Sequence, residues 1–359
     1  MFNNAGLFAT DDAGSFESDD YLRSLVALRE IAKTVYGEMR KTEWKQAIKS
    51  KTLQRKLVQM CNLIGPYKQP ALLQKMIVTK DPWLYLVGAA FVGLDIDSQL
   101  NRFDNIANGM GEEDEEFDRE RFLAGLDALI KSPELDKLRD NARRKTGLVA
   151  KSLSEYIKNL TIIYRKLMII RLDLWYGKTY TTDMQPQSRI LNDWQSLLAY
   201  IEVKFSSSYI GYAIKLEFGE DKGIHMHTLL FFNGDVVRTD TMVALRIGEH
   251  WKYVVTEKAG GYFNCNKSEY KRRMELKQQC CIGVFSGVDR NFLAGLRVVT
   301  NYFAERDPVV RLAMPELGHT LWRSYLSQKE KGILARKLAK ETSPGMILSN
   351  TPGHGLFVR

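Results

Sequence analysis

One stretch of alternating apolar and polar residues constrains the fold more than any other part of the chain. It covers residues 209–234, YIGYAIKLEFGEDKGIHMHTLLFFNG, with glycines at positions 219 and 223 near its middle. Successive side chains of a β-strand point to opposite faces of the sheet, so this alternation is typical of strands. The stretch therefore predicts a β-hairpin whose turn lies at Gly219–Gly223.

The two predicted strands carry polar residues that can meet on one surface. If the apolar faces of the strands lie together, the opposite face presents Lys215, Glu217, His225 and His227. Two imidazoles and a carboxylate can converge on one cation. Nitrogen and oxygen ligands without thiolate suit manganese or magnesium, and zinc also fits. In the alternative interpretation, both histidines are ordinary strand residues that only make hydrogen bonds.

A further strand is predicted at Lys166–Trp175, KLMIIRLDLW, where Arg171 and Asp173 share the polar face. If this strand lies beside the hairpin, Arg171 can bind a phosphate group and Asp173 can orient a metal-bound histidine or water. Both residues are therefore assigned to the predicted nucleic-acid-binding surface. A solvent-exposed ion pair is the alternative.

A helix is predicted at Asn291–Asp307, with Pro308 closing it. Tyr302 lies beside the apolar face of this helix, and Arg306 is expected one turn further on. A phenol with a pKa of about 10 needs a nearby cation and a metal-polarised phosphate to act as a nucleophile at neutral pH. The chain has sixteen tyrosines, so spacing alone does not select Tyr302. The apolar face is formed by Phe292, Leu296, Val299 and Phe303.

The spacing of apolar residues changes along the chain. Up to about residue 160 they recur every three or four positions, as in helices, and beyond it short strand-like runs alternate with helices. The predicted fold class is α+β, with an antiparallel sheet flanked by helices after an all-helical domain. The predicted divisions are a disordered acidic tail (1–20), a helical domain (21–155), a sheet-containing domain (156–342) and a flexible tail (343–359).

The charge of the chain favours a polyanionic partner. The net charge is +9, although the first twenty residues contain five acidic residues and no basic one. Within the basic segment Asn266–Lys277, the residues Lys271, Arg272 and Arg273 are predicted to contact phosphates; a solvated surface is the alternative. A second basic helix is predicted at Tyr325–Lys340, with the same ambiguity.

The remaining sequence features exclude several classes of protein. The longest apolar stretch, Trp83–Leu94, is too short to span a bilayer and is predicted to be a buried helix. The first residues lack a signal peptide, so a cytoplasmic location without a membrane partner is expected. The four cysteines show no CxxC spacing, which indicates reduced thiols and neither a disulfide framework nor a zinc ribbon.

Four segments taken together resemble a known family. They are LMIIRLDL, YAIKLEFGEDKGIHMHTLLFFNG, IGEHWKYVVTEKAGGYFNCN and LRVVTNYFAERDPVVRL, within about residues 160–325. This order resembles the replication-initiator-like proteins of filamentous phages and prophages, the YagK/YfjJ type, within the wider His-hydrophobic-His (HUH) endonuclease class. The resemblance does not extend to the N-terminal helical half.

The resemblance implies a Rep-type sheet with a metal site on its face and a tyrosine-bearing helix nearby. Such enzymes nick one DNA strand, keep a covalent 5′-phosphotyrosine link and leave a 3′-hydroxyl for rolling-circle replication. By position, His225 and His227 match the paired metal ligands, Glu217 the third ligand and Tyr302 the nucleophile. The implied partners are single-stranded or replication-origin DNA and host replication proteins.

The chain departs from the family pattern next to the tyrosine. In the family a lysine follows three residues after the tyrosine, whereas this chain has Glu305 there and Arg306 one place later. Weak activity is one implication; a changed geometry in which Arg306 or Lys215 supplies the cation is another. A DNA-binding module without efficient cleavage is therefore one alternative function.

A metal-dependent hydrolase that uses water is the other alternative. Such enzymes usually need further histidine ligands. His250, His319 and His354 are the only other histidines, and none has an obvious partner spacing.

Overall fold

The computed structural model describes residues 19–67, 70–92, 113–177, 186–219, 221–314 and 317–342. The predicted α+β fold is confirmed: an open antiparallel sheet of six strands is flanked by helices and preceded by a helical region. Of the predicted acidic tail, only residues 19 and 20 belong to the described part, and they begin a helix instead. The predicted C-terminal tail lies outside the described residues.

The N-terminal region is helical, as the apolar spacing predicts. Its helices are α1 (Asp19–Met39), α2 (Trp44–Ala47), α3 (Lys51–Ile64), α4 (Pro70–Val78), α5 (Pro82–Phe91), α6 (Glu113–Ile130) and α7 (Pro133–Ile163). Their starts follow ordinary capping chemistry, because the side chains of Ser50, Asp81 and Ser132 accept hydrogen bonds from the first backbone N–H groups. Helix α5 accounts for the predicted buried helix, and none of the described helices is long and apolar enough to cross a membrane.

The sheet contains the predicted hairpin at its centre. Its strands are β1 (Leu167–Tyr176), β2 (Tyr209–Gly219), β3 (Gly223–Asn233), β4 (Gly260–Asn264), β5 (Gly283–Phe285) and β6 (Leu321–Arg323). The strand order is β4-β1-β3-β2-β6, and β5 also pairs with β1. The predicted strand at Lys166–Trp175 is therefore confirmed, and it lies directly beside β3.

The remaining helices connect and cover these strands. They are α8 (Pro186–Lys204), α9 (Asp240–His250), α10 (Ser268–Leu276), α11 (Arg290–Ala304), α12 (Pro308–Ala313) and α13 (Gln328–Thr342). A π-helical turn, Trp251–Val255, continues α9. The basic segment Asn266–Lys277 contains helix α10, and the predicted basic helix at Tyr325–Lys340 is present as α13.

Both faces of the sheet are packed, but differently. The face that carries Met226 and Leu230 belongs to one apolar core that also includes the buried residues of α1, α3 and α5. The opposite face is apolar only at one end, where Leu229 and Phe231 pack against α7 and α11. Its other end carries the polar residues of the hairpin. The packing therefore covers one half of this face and leaves the polar half for a site.

The N-terminal helices and the sheet share their core, and α7 runs without a break through the predicted boundary at residue 155. The division into a helical domain and a sheet-containing domain stays a prediction. All four cysteines are buried and free of disulfide bonds.

The tyrosine-bearing helix α11 ends earlier than predicted. The helix stops at Ala304, where Glu305 has extended backbone angles, so Arg306 does not lie one helical turn beyond Tyr302. The reason is Asp307, whose Oδ1 accepts hydrogen bonds from the N–H groups of Val309 and Val310 and so begins α12. Proline at the first position of a helix favours the same start.

Asp307 also fastens this turn to the hairpin. Its Oδ2 accepts a hydrogen bond of 2.7 Å from the backbone N–H of Phe218, the residue after Glu217, and the carboxylate is buried. One side chain therefore connects the end of the tyrosine helix to the strand that carries a candidate ligand.

We expect Asp307→Ala to lower the free energy of unfolding by about 2–3 kcal/mol, because three backbone donors lose their acceptor and one of them belongs to the buried hairpin. Asp289→Ala is the control, since Asp289 caps α11 from an exposed position and should cost about 1 kcal/mol. Urea unfolding of both variants measures the difference. Equal losses would contradict the role of Asp307 as a link between α11 and β2.

Candidate metal and tyrosine site

The register of the three central strands brings the polar residues together. In the β2–β3 ladder Glu217 lies opposite His225 and Lys215 lies opposite His227. In the β1–β3 ladder Asp173 lies opposite His227 on its other side. The predicted common surface of the hairpin is therefore present, and the neighbouring strand extends it.

Glu217, His225 and His227 form a group that can hold a metal ion. One ligand atom from each residue lies within 4.8 Å of the other two. The Nε2 atoms of the two histidines are 3.1 Å apart, and His227 Nε2 lies 3.2 Å from Glu217 Oε2. Two ligands bound to one ion at about 2.1 Å and at a right angle lie about 3 Å apart, so these separations fit a shared ion.

The hydrogen bonds of the imidazoles leave their other ring nitrogens free to bind a metal. His227 Nδ1 lies 2.7 Å from Asp173 Oδ1, and His225 Nδ1 lies 3.0 Å from the carbonyl oxygen of Gly223. Both partners are acceptors, so each neutral ring carries its proton on Nδ1 and presents a bare Nε2. Two such nitrogens and a carboxylate oxygen form a set of ligand atoms that one metal ion can bind.

The pKa shifts report the same electrostatics. Burial opposes the charged form of His227, but hydrogen bonds to Asp173 and Glu217 outweigh it and raise its pKa. The pKa of His225 is lowered, mainly by burial and despite its bond to Gly223. The pKa of Glu217 is lowered despite burial, because His227 and Lys215 stabilise the carboxylate. These shifts favour the charged form of Glu217 and the neutral form of His225, whereas His227 binds a proton more readily than a free histidine.

Tyr302 of helix α11 contacts two residues of this group. Its hydroxyl donates a 2.6 Å hydrogen bond to Glu217 Oε2 and lies 2.6 Å from His227 Nε2. Burial and the negative charge of Glu217 raise the pKa of the phenol well above its ordinary value. The hydroxyl is therefore a neutral donor in this arrangement, and it lies beside the atoms that would bind a metal.

Two cations accompany the tyrosine. Lys215 is buried, with its Nζ 3.2 Å from Glu217 Oε2 and 4.1 Å from the centre of the Tyr302 ring. The guanidinium carbon of Arg171 lies 5.3 Å from the same ring, and its Nε is 3.4 Å from Asp173 Oδ1. Arg171 and Asp173 are thus inner parts of the site, and Asp173 contacts His227.

The residues after the tyrosine take other positions. Glu305 is exposed and lies 3.5 Å from Arg29 of helix α1. Arg306 is exposed and lines a small recess with Lys215 and Glu217. Of the two cations considered from the sequence, Lys215 is the one whose side chain lies against the phenol.

The predicted phosphate-binding residues of α10 lie apart from this group. Lys271 forms a 2.8 Å ion pair with Asp240, whereas Arg272 is exposed and Arg273 lies over the ring of Tyr270. Their role in nucleic-acid binding stays a prediction.

The remaining described histidines do not join the site. His250 stacks on Tyr200 and His319 packs against Trp322. His354 lies outside the described residues. Among the described residues, the group of Glu217, His225 and His227 is the candidate metal site.

Comparison with known proteins gives one match. Residues 132–282 match the family described as YagK/YfjJ C-terminal domain. The matched range begins at helix α7 and includes Asp173, Glu217, His225 and His227, and it ends before Tyr302. No curated protein and no solved structure matches the chain.

We expect Asp173→Asn to weaken Mn²⁺ binding by about 10–100-fold, the usual effect of losing a partner that orients a ligand. The amide can donate to His227 Nδ1 and so hold the ring proton on Nε2, the ligand atom. Asp235→Asn makes the same change of charge in an ion pair with Arg165 outside the site and should bind Mn²⁺ like the wild type. Titration calorimetry measures all three; equal affinities would exclude this role for Asp173.

Proposed function

We infer that this protein is a metal-dependent DNA-nicking enzyme of the HUH type. The inference rests on its similarity to the YagK/YfjJ C-terminal domain and on a tyrosine hydroxyl that contacts a group of one glutamate and two histidines. The protein would cut one strand of single-stranded or origin DNA and keep the 5′ end as a phosphotyrosine. Its process would be rolling-circle-type replication of a phage or mobile element.

The observation that carries this proposal is the position of the Tyr302 hydroxyl. It lies 2.6 Å from both Glu217 Oε2 and His227 Nε2. A nucleophile must lie within reach of the ion that binds the reacting phosphate, and this hydroxyl contacts two of the residues that would hold such an ion. Two residues 75 or more positions away in the chain meet it there, so local sequence packing does not account for the contact.

The residues have separate roles in the proposed reaction. Glu217, His225 and His227 would hold the divalent metal, for which manganese or magnesium is proposed, and Asp173 would fix the ring of His227. When bound, the metal would polarise the scissile phosphate and compensate the charge that raises the pKa of the phenol. Lys215 would stabilise the phenolate, and Arg171 would offer a positive charge to a phosphate oxygen.

The reaction is balanced without an oxidant or a co-reactant. The Tyr302 oxygen forms a bond to phosphorus while the bond from phosphorus to the 3′ oxygen breaks. The phenol loses one proton and the departing 3′ oxygen takes up one, so the products are a phosphotyrosine and a 3′-hydroxyl. The reverse reaction rejoins the strand.

Tyrosine attack should leave the protein attached to DNA. Incubation with a pool of single-stranded oligonucleotides labelled at the 3′ end and Mn²⁺ should give a labelled, protein-linked fragment that survives denaturing electrophoresis. Tyr302→Phe should lose the adduct but keep Mn²⁺ binding, because Phe lacks only the hydroxyl. Tyr325→Phe, at a residue 75% exposed, is the matched control and should form the adduct normally.

The other outcomes of this assay identify the alternatives. Cleaved DNA without an adduct, unaffected by Tyr302→Phe, would indicate a hydrolase that uses water. Oligonucleotide binding without cleavage in any metal would indicate a binding module of the same fold.

The assignment of the cation can be tested in the same assay. We expect Lys215→Met to slow adduct formation by about 10²-fold, the usual loss when one charge-stabilising group is removed from a reaction centre. With oligonucleotide in saturating excess, Arg306→Gln should slow it by less than about 5-fold, because Lys215 and not Arg306 is the cation against the ring. The reverse order would assign the phenolate-stabilising role to Arg306.

A further inference from the structure

A cleft lies between the N-terminal helical region and the tyrosine helix. It has a volume of about 1030 Å³, and Tyr302 and Asn301 of α11 line one side. The other walls come from α5, from the turn before it and from residues 138–147 of α7. The volume matches the upper end of the range for ligand sites, about 300–1,000 Å³, so the cleft can hold a ligand made of several covalently linked chemical groups.

The walls of the cleft are mostly basic. Seven cationic side chains line it, against the acidic residues Asp81, Asp140 and Glu305; the cations are Arg29, Lys80, Arg139, Arg143, Lys145, Arg306 and Arg311. Arg29 is neutralised by Asp81 and Glu305, and Arg139 by Asp136. The other five have no carboxylate of a described residue within 4.0 Å. Excess positive charge therefore remains in the cleft.

The five remaining cations come from different parts of the fold. Lys80 lies in the turn before α5, Arg143 and Lys145 lie on α7, and Arg306 and Arg311 lie after the tyrosine helix. These five side chains lie on elements that are far apart in the chain. Their common position around the cleft therefore results from tertiary packing and not from the spacing of residues within one helix. The ion pairs of Arg29 with Asp81 and with Glu305 connect the two sides.

The cleft and the proposed reaction centre share Tyr302. Tyr302 lines the cleft, and the hydroxyl of the same residue contacts Glu217 and His227. A strand bound in the cleft would thus have its scissile phosphate beside the nucleophile. The basic helix α10 offers less, because the ammonium group of Lys271 is already paired with Asp240.

We propose that this cleft binds the backbone of single-stranded DNA and leads it to Tyr302, so that the N-terminal helices form one wall of the DNA-binding site. This inference rests on the proposed function and assigns part of the substrate site to a region that the resemblance leaves without a role. Basic grooves that follow a phosphate backbone are the usual way in which proteins bind single strands.

The test compares two pairs of substitutions on the same helix. Arg143→Gln with Lys145→Gln removes two cations from the cleft, whereas Arg144→Gln with Lys151→Gln removes two exposed cations of α7 that do not line it. Both pairs are made in full-length protein carrying Tyr302→Phe, and binding of a fluorescent 20-nucleotide single strand is measured by anisotropy in EDTA. Thermal unfolding checks that both proteins are folded.

We expect the cleft pair to weaken binding at least about 10-fold and to reduce the slope of log affinity against log salt by about 1.4, which is about 0.7 for each lost phosphate contact. The control pair should stay within about 2-fold of the parent protein. Lys80→Gln with Arg311→Gln, from the other walls, should also weaken binding. A matched duplex should bind more weakly than the single strand and should respond less to the cleft pair.

Three results would overturn the assignment. The first is equal binding by the cleft and control pairs, and the second is a loss for duplex as large as for the single strand. The third is a normal affinity for the variant with Lys80→Gln and Arg311→Gln.

Because these measurements need neither metal nor Tyr302, they are independent of nicking. Adduct formation by the wild type with unchanged binding by the cleft pair would reject the cleft alone. Weakened binding by the cleft pair, without any adduct from the wild type, would reject nicking alone.

Discussion

The register of the β2–β3 ladder is the constraint on which the rest of the site depends. It places Glu217 opposite His225 and Lys215 opposite His227. Side chains alternate with a period of two, so a slip of one residue would turn both histidines toward the apolar core and place Met226 on the face of the candidate site. The apolar core beneath the hairpin therefore fixes the position of the candidate ligands. The ligand atoms on the opposite face can together bind a metal ion.

The two faces of the sheet have different roles: one packs into the main core, and the other carries the candidate site. One face is mostly apolar, with Thr228 and Asn264 as buried polar residues, and packs onto the core that it shares with the N-terminal helices. The other face is apolar only where α7 and α11 cover it. This packing positions α11 so that Tyr302 contacts the polar half of the face. Asp307 adds a second connection, because it joins the end of α11 to the backbone of β2. The tyrosine is thus placed by a core on one side and a buried carboxylate on the other.

Several features of the site were predictable because they follow from local patterns. The hairpin, the shared face of Glu217, His225 and His227, and the strand with Arg171 and Asp173 all follow from alternation of period two. The prediction for Arg306 was wrong in its geometry, because a continuous helix was assumed through residue 307. An aspartate followed by proline is a helix-start signal, and this signal at Asp307 could have corrected the boundary. The sequence contains the basic run Arg143, Arg144, Lys145, but it does not indicate that Arg143 and Lys145 line a cleft together with Tyr302.

The sequence by itself determined which side chains lie on the same face of each strand, because that property depends only on the spacing of residues along an extended chain. It also determined the fold class, through the change from helical to strand-like spacing. Only the tertiary structure decided that Asp173 meets His227, that Lys215 and not Arg306 lies against the phenol, and that α7 faces the tyrosine helix across a basic cleft. These contacts join elements that are far apart in the chain. Strand order and helix packing set their geometry, and the pattern of any single segment does not encode it.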